Sequence, residues 1–110
     1  MKFSFNYKKK NFNIDVIECR SISSRFSGLM FRKKSKPLLF IYKKPVQESI
    51  HSFFCKPFIA VWFYKDKIID VKIVDPWKIN IKPKDKFDKL LEIPISDSNF
   101  HRIIDVKRKV

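Results

Sequence analysis

Three residues of the chain, Arg32, His51 and Glu92, carry side chains that could bind or transform a polar ligand. The guanidinium of Arg32 can hold a carboxylate or a phosphate through two parallel hydrogen bonds. The alternative is an internal ion pair, for which Glu92 is the candidate partner. Both interpretations predict that Arg32 is partly buried.

His51 and Glu92 each allow a functional and a structural interpretation. His51 precedes two aromatic residues, so it is either a general base or ligand-binding residue, or a hydrogen-bonded structural residue. Glu92 lies in the predicted strand Lys89–Ile93, whose alternation places it on the face opposite to its apolar neighbours. We expect that face to be exposed to solvent, unless it lines a pocket, where Glu92 would be a pocket carboxylate.

Together these residues favour a non-catalytic binding module. Arg32, His51 and Glu92 are predicted to surround a polar pocket that takes a small anionic ligand. A small hydrolase-like enzyme is a further hypothesis, and it would require the three side chains to converge within hydrogen-bonding reach in one cleft. No catalytic residue is assigned, and the oligomeric state is left open.

Several kinds of site are excluded by residue type and spacing. The only glycine is Gly28, and P-loops, dinucleotide-binding turns and nucleophile elbows each need more than one. Ser52 and His51 are adjacent, so on a strand they would point to opposite faces and could not act as a catalytic pair. Cys19 and Cys55 have no zinc-ligand spacing and are predicted to be buried free thiols. The sequence therefore predicts no metal and no cofactor.

The charge of the chain suggests a second function. With 25 basic and 11 acidic residues the formal net charge is +14, and residues 1–47 hold 12 bases against two acids. Such a surface attracts RNA or single-stranded DNA through counterion release, although the excess of lysine is also what an AT-rich genome produces. The alternative function is low-specificity electrostatic binding of nucleic acid through Lys8, Lys9, Lys10, Lys33, Lys34 and Lys36.

Four aromatic residues, Trp62, Trp77, Phe53 and Phe54, could stack on bases if they were exposed beside lysines. In a domain of this size we expect them to lie in the core instead.

Short apolar segments with a period of two predict an all-β fold, a mainly antiparallel small barrel or sandwich, with one domain over residues 1–110. No segment is apolar for the ~20 residues that a membrane helix needs, so we expect a soluble, cytoplasmic protein without a membrane partner. The predicted strands are an opening hairpin from Phe3 to Val16, Leu38–Tyr42 ending before Pro45, a second hairpin from Phe58–Tyr64 and Ile68–Val74, then Lys89–Ile93 and Ile103–Val106.

One segment has helical spacing. Ile22, Phe26, Leu29 and Met30 recur at intervals of three and four residues after Ser21, a suitable N-cap, which predicts a short helix near residues 21–31. Gly28 would either end this helix or allow it to pack closely against the sheet.

The order of five short motifs resembles a known family. These motifs are Gly28-Leu29-Met30-Phe31-Arg32, Leu38-Leu39-Phe40, Ile50-His51-Ser52-Phe53-Phe54, Asp75-Pro76-Trp77 and Leu91-Glu92-Ile93-Pro94. Across residues 13–106 the chain resembles the domain of unknown function 192, also called uncharacterised protein family 0127, and its archaeal members in particular. The resemblance implies a compact, mostly antiparallel β fold with a short helix at the first motif, and it implies no established activity.

The chain departs from this family at two positions. Ala60 stands where the family has an aspartate, and Ile95 stands where a glycine commonly follows the last motif. If that aspartate belongs to a family site, this chain lacks it.

Overall fold

The computed structural model describes residues 1–20 and 35–108. These residues form seven strands and one helix. In chain order they are β1 (Lys2–Tyr7), β2 (Lys10–Asp15), β3 (Ile17–Cys19), β4 (Leu38–Val46), β5 (Phe58–Tyr64), β6 (Lys67–Val74), β7 (Phe87–Pro94) and α1 (Ser98–Arg108).

The opening hairpin is confirmed. β1 and β2 pair antiparallel, with Phe5 opposite Phe12, and the alternating apolar residues face the core. Lys8 and Lys9 form the turn, with φ angles of 48° and 68°. Two successive left-handed residues are typical of a type I′ hairpin turn, which normally contains Asn or Gly.

Because residues with a Cβ are strained in this conformation, Lys9→Gly is expected to raise the free energy of unfolding by about 1 kcal/mol. Urea denaturation would measure the change. Lys9→Ala is the matched control: it removes the same side chain but keeps the Cβ, so we expect no gain. Equal stability of the two variants would contradict this account of the turn.

The main sheet has five strands in the order β3-β4-β7-β5-β6. β3 and β4 are parallel, and the other pairs are antiparallel. β5 pairs with strands on both sides and is buried along nearly its whole length, which explains its continuous apolar run. The hairpin formed by β5 and β6 is confirmed.

β4 differs from its prediction at one end. The strand continues through Pro45 to Val46 instead of ending before the proline. Its pairing with β7 shifts between Ile41 and Val46. Because the regular ladder is interrupted there, the missing N–H of Pro45 breaks no pairing bond.

Both faces of the main sheet carry a hydrophobic core. On the first face, β1, β2 and α1 pack against Leu39, Ile59 and Leu91. On the second face lie alternating residues of the same strands, including Phe40, Trp62 and Leu90. We call these the first-face core and the second-face core.

The prediction of a strand at Ile103–Val106 is wrong, because these residues belong to α1. The Asp97 carboxylate accepts a hydrogen bond from the Asn99 N–H at 2.9 Å and caps the helix. Phe100, Ile103 and Ile104 then recur at helical spacing and enter the first-face core. Ile103, Ile104 and Val106 are β-branched residues that are common in strands, whereas the spacing of the apolar positions and the cap favour a helix. The helix predicted near residues 21–31 lies outside the described residues.

Candidate functional site

Ser52 joins the loop between β4 and β5 to the loop after β6. Its side chain is fully buried. The Ser52 hydroxyl donates a hydrogen bond to the Asp75 carbonyl oxygen at 2.6 Å and accepts one from the Lys78 N–H at 2.8 Å. Its backbone N–H donates to the Lys78 carbonyl, and its carbonyl accepts from the N–H groups of Trp77 and Cys55. One serine therefore fixes the relative position of two loops.

Three aromatic side chains lie together on these loops, and we call Phe53, Phe54 and Trp77 the aromatic patch. The Trp77 ring centroid is 5.8 Å from that of Phe53 and 4.8 Å from that of Phe54. The exposed fractions are 37% for Phe53, 50% for Phe54 and 61% for Trp77. The patch is thus a connected apolar surface facing solvent.

The expectation that these aromatics lie in the core is wrong for the patch and right for Trp62, which is fully buried. Trp62 belongs to a central strand, where nearly every position is covered. Phe53, Phe54 and Trp77 belong to loops, where strand alternation does not apply. The Asp75-Pro76 pair ahead of Trp77 is a turn signal that could have distinguished them.

A groove lies next to the patch, between the end of β6 and the loop that follows it. Its volume is about 460 Å³, and we call it the lysine groove. Three lysines and one aspartate line it together with apolar and amide side chains, so its formal charge is +2. The lining residues are Lys72, Ile73, Val74, Asp75, Lys78, Ile79, Asn80, Ile81 and Lys82.

Glu92 is buried in the second-face core, with an exposed fraction of 5%. The alternation of β7 is as predicted, but the face opposite Leu91 is covered by side chains, so the expectation of a solvent-facing carboxylate is wrong. Within residues 1–20 and 35–108, Glu92 has no ion-pair partner. Burial raises the pKa of this carboxyl to about 8, which favours its neutral form at neutral pH.

Ala60 is the register partner of Glu92 on β5. This is the position at which the family resemblance implies an aspartate. An acid there would place two carboxyl groups side by side in the sheet, where mutual repulsion favours a shared proton. In this chain the residue that pairs with Glu92 at that position is Ala60, which carries no carboxyl group.

The two cysteines are buried free thiols, as predicted. Burial is the main cause that raises the pKa of Cys55 to about 11, and the nearby Glu92 carboxylate adds to it. A thiol with this pKa is protonated at neutral pH and is a poor nucleophile. Among the residues that the structure describes, no three His, Cys, Asp or Glu side chains are grouped to hold a metal ion.

The predicted polar pocket is described only in part. His51 is half-buried in the loop before the patch, and its Nδ1 accepts a hydrogen bond from the Phe53 N–H at 3.2 Å. Glu92 lies on β7 and is covered by the second-face core. Its carboxylate contributes to the raised pKa of Cys55, in the loop between β4 and β5. Arg32 lies outside the described residues. A pocket formed by all three, or an ion pair between Arg32 and Glu92, stays a prediction.

The N-terminal lysines proposed for nucleic-acid binding are described only in part, and their role in binding stays a prediction. Lys8 donates a hydrogen bond to the Lys107 carbonyl at 2.9 Å, so it contacts the end of α1. Lys36 is 3.0 Å from the Asp15 carboxylate and lowers the pKa of that acid. Lys9 and Lys10 are exposed. Lys33 and Lys34 lie outside the described residues.

No helix in the described ranges is long and apolar enough to cross a membrane.

Comparison with solved structures supports the fold. A crystal structure of a protein of unknown function from Novosphingobium aromaticivorans DSM 12444 has a TM-score of 0.80 at 13% identity, covering 98% of this chain and 79% of that one. The crystal structure of a "putative transcription regulator" from Sinorhizobium meliloti 1021 has a TM-score of 0.72 at 17% identity, covering 83% of this chain and 76% of that one. At these identities the likeness establishes the mostly β fold alone.

Comparison with curated sequences supports a family. No family model matches the chain. The UPF0127 protein PF1050 of Pyrococcus furiosus is 30% identical over 91 residues, which cover 79% of this chain and 78% of that protein. Because the similarity extends over most of both sequences, this chain belongs to the UPF0127 family.

Proposed function

We propose that this chain is a non-catalytic binding module that holds an anionic ligand in the lysine groove. The observation that carries the proposal is the lysine groove itself, whose lining includes Lys72, Lys78 and Lys82 and the single acid Asp75. Ammonium groups that share a concave wall attract an anion more strongly than isolated surface lysines do, because their fields add there.

The rigidity of the groove supports the same proposal. Lys78 is fixed by its backbone bonds to the buried Ser52, and Ile81 pairs with Ile50 as an isolated bridge. A site whose walls are already ordered loses less conformational entropy when it binds a ligand. The proposed ligand is still an anion, as predicted for the polar pocket. We assign it to the lysine groove instead of to Arg32, His51 and Glu92.

The proposal predicts that two charge reversals in the groove weaken binding. Lys72→Glu with Lys78→Glu is expected to reduce affinity for long-chain inorganic polyphosphate by about tenfold or more at low salt. Isothermal titration calorimetry at two salt concentrations would measure the change.

Lys9→Glu with Lys10→Glu is the matched control. Each pair of reversals lowers the formal net charge from +14 to 14 − 4 = +10, so the pairs differ in position and not in total charge. We expect the control to bind polyphosphate within about threefold of the unaltered protein. Equal losses in both variants, or no binding by the unaltered protein, would contradict the proposal.

We also propose two narrower statements about the chain. The first is the resemblance to archaeal members of domain of unknown function 192. The second is a cytoplasmic location.

A further inference from the structure

We infer that the anion held by the lysine groove is the backbone of a single-stranded nucleic acid, whose bases stack on the aromatic patch. This inference rests on the proposed function, because it names the ligand class of the same groove. Trp77 belongs to the patch and Lys78, the next residue, lines the groove, so the patch and the groove adjoin at this loop. Stacking rings beside a basic groove are the combination that binds single strands.

The exposure of Trp77 is the first argument. A tryptophan that is 61% exposed leaves apolar area in water that burial would have removed. Phe53 and Phe54 pack against its ring at tilted and edge-on angles, with interplanar angles of 38° and 66°. The neighbours hold the indole in place, and most of its surface stays accessible to a base.

The backbone at the patch is the second argument. Phe54 and Trp77 have φ angles of 58° and 65°, in the left-handed region that bulky residues rarely occupy. A glycine at the position of Trp77 would relieve this strain. Because the Trp77 ring is exposed, its burial contributes little free energy to offset the backbone strain. Strained residues that persist without such compensation are concentrated at functional sites.

The shape of the surface favours a nucleic acid over an anionic membrane. A membrane surface is contacted by a protruding apolar tip with lysines around it, and it needs no groove. Here the lysines line a groove of about 460 Å³ beside the rings. A chain of phosphates fits such a groove while its bases turn toward the aromatic patch.

The test compares a 15-nucleotide oligothymidylate with inorganic polyphosphate of similar charge on the same variants. Trp77→Ala is expected to weaken oligothymidylate binding about five- to a hundredfold, the range given by the loss of one stacked base. Its polyphosphate affinity is expected to stay within about twofold, because the lysines are unchanged. Fluorescence anisotropy of a labelled oligonucleotide, and its competition by polyphosphate, would measure both affinities.

Two variants serve as controls. Trp77→Tyr keeps an aromatic ring and is expected to restore most of the oligothymidylate affinity. Ile17→Ala removes another exposed apolar side chain, 41% exposed on β3, and is expected to change neither affinity. Circular dichroism of each variant would establish that it is folded.

The outcomes separate this inference from the proposed function. Loss of oligothymidylate binding in Trp77→Ala with unchanged polyphosphate binding supports the inference. If Trp77→Ala leaves the affinities for both ligands unchanged, the inference is overturned while the groove proposal stands. If neither ligand binds the unaltered protein, the inference and the groove proposal are both overturned. Binding to phosphatidylserine vesicles without oligothymidylate binding overturns it in favour of a membrane surface. Self-association that Trp77→Ala abolishes, without oligothymidylate binding, overturns it in favour of a second copy of the chain.

Discussion

Glu92→Gln is expected to stabilise the protein at pH 8 by about 4 kcal/mol and to change its stability by less than about 1 kcal/mol at pH 4.5. In the folded protein burial raises the pKa of Glu92 to about 8, against an ordinary value of 4.5. Between these two values the unfolded chain releases the Glu92 proton while the folded chain keeps it. The unfolded state is therefore favoured increasingly as the pH rises.

The sign follows from the direction of the pKa shift. The contribution of protonated Glu92 to folding is fully present below about pH 4.5, declines from there to about pH 8, and is constant above that pH, where both states are ionised. Glutamine is neutral throughout and has nearly the same shape. The difference in stability between the two proteins should consequently grow with pH and then level off.

Urea denaturation at half-unit pH intervals would measure this difference. Glu48→Gln is the matched control, because Glu48 is exposed, and we expect its difference from the unaltered protein to stay near zero at every pH. Among the described residues, Cys55 is a titratable neighbour of Glu92, and its pKa of about 11 keeps the thiol neutral at pH 8 and below. A difference for Glu92→Gln that does not depend on pH would show that the carboxyl titrates normally.

The sequence predicted the sheet well because its strands carry their own local signals. Alternation identified the first hairpin, and the apolar runs on either side of Lys65-Asp66-Lys67 identified the second, whose strands are β5 and β6. The same alternation placed Glu92 on the correct side of β7. It could not show that this side is covered, because the second-face core is assembled from all five strands of the main sheet and from loops.

The candidate surface was harder to predict for a related reason. The aromatic patch is built from two loops that are more than 20 residues apart and are joined through Ser52, and the lysine groove is built from the second of these loops and the end of β6. Serine in a loop is common, and nothing in its sequence context shows that it is buried. Residue type alone placed the aromatics in the core, whereas loop geometry, which depends on long-range hydrogen bonds, brings them to the surface.

Ser52→Ala is expected to lower the free energy of unfolding by about 2–4 kcal/mol, because it removes both hydrogen bonds of a fully buried hydroxyl. The Asp75 carbonyl and the Lys78 N–H then lose their partner at the point where the two loops meet. Urea denaturation would measure the loss. Ser4→Ala is the matched control, since that exposed serine makes one side-chain bond, to Asn13, and we expect a change below about 0.5 kcal/mol.

The same substitution links the stability of the loops to binding. Without the hydroxyl, the Lys78 N–H has no acceptor, and the backbone bond from the Trp77 N–H to the Ser52 carbonyl should open more often. The amides of both residues should therefore exchange faster with deuterium than in the unaltered protein. Because Trp77 and Lys78 carry the patch and one wall of the groove, oligothymidylate and polyphosphate affinities should fall together, unlike in Trp77→Ala. If exchange at these amides and both affinities stayed unchanged in Ser52→Ala, the two loops would be held by their backbone bonds alone, and the central role of Ser52 would be wrong.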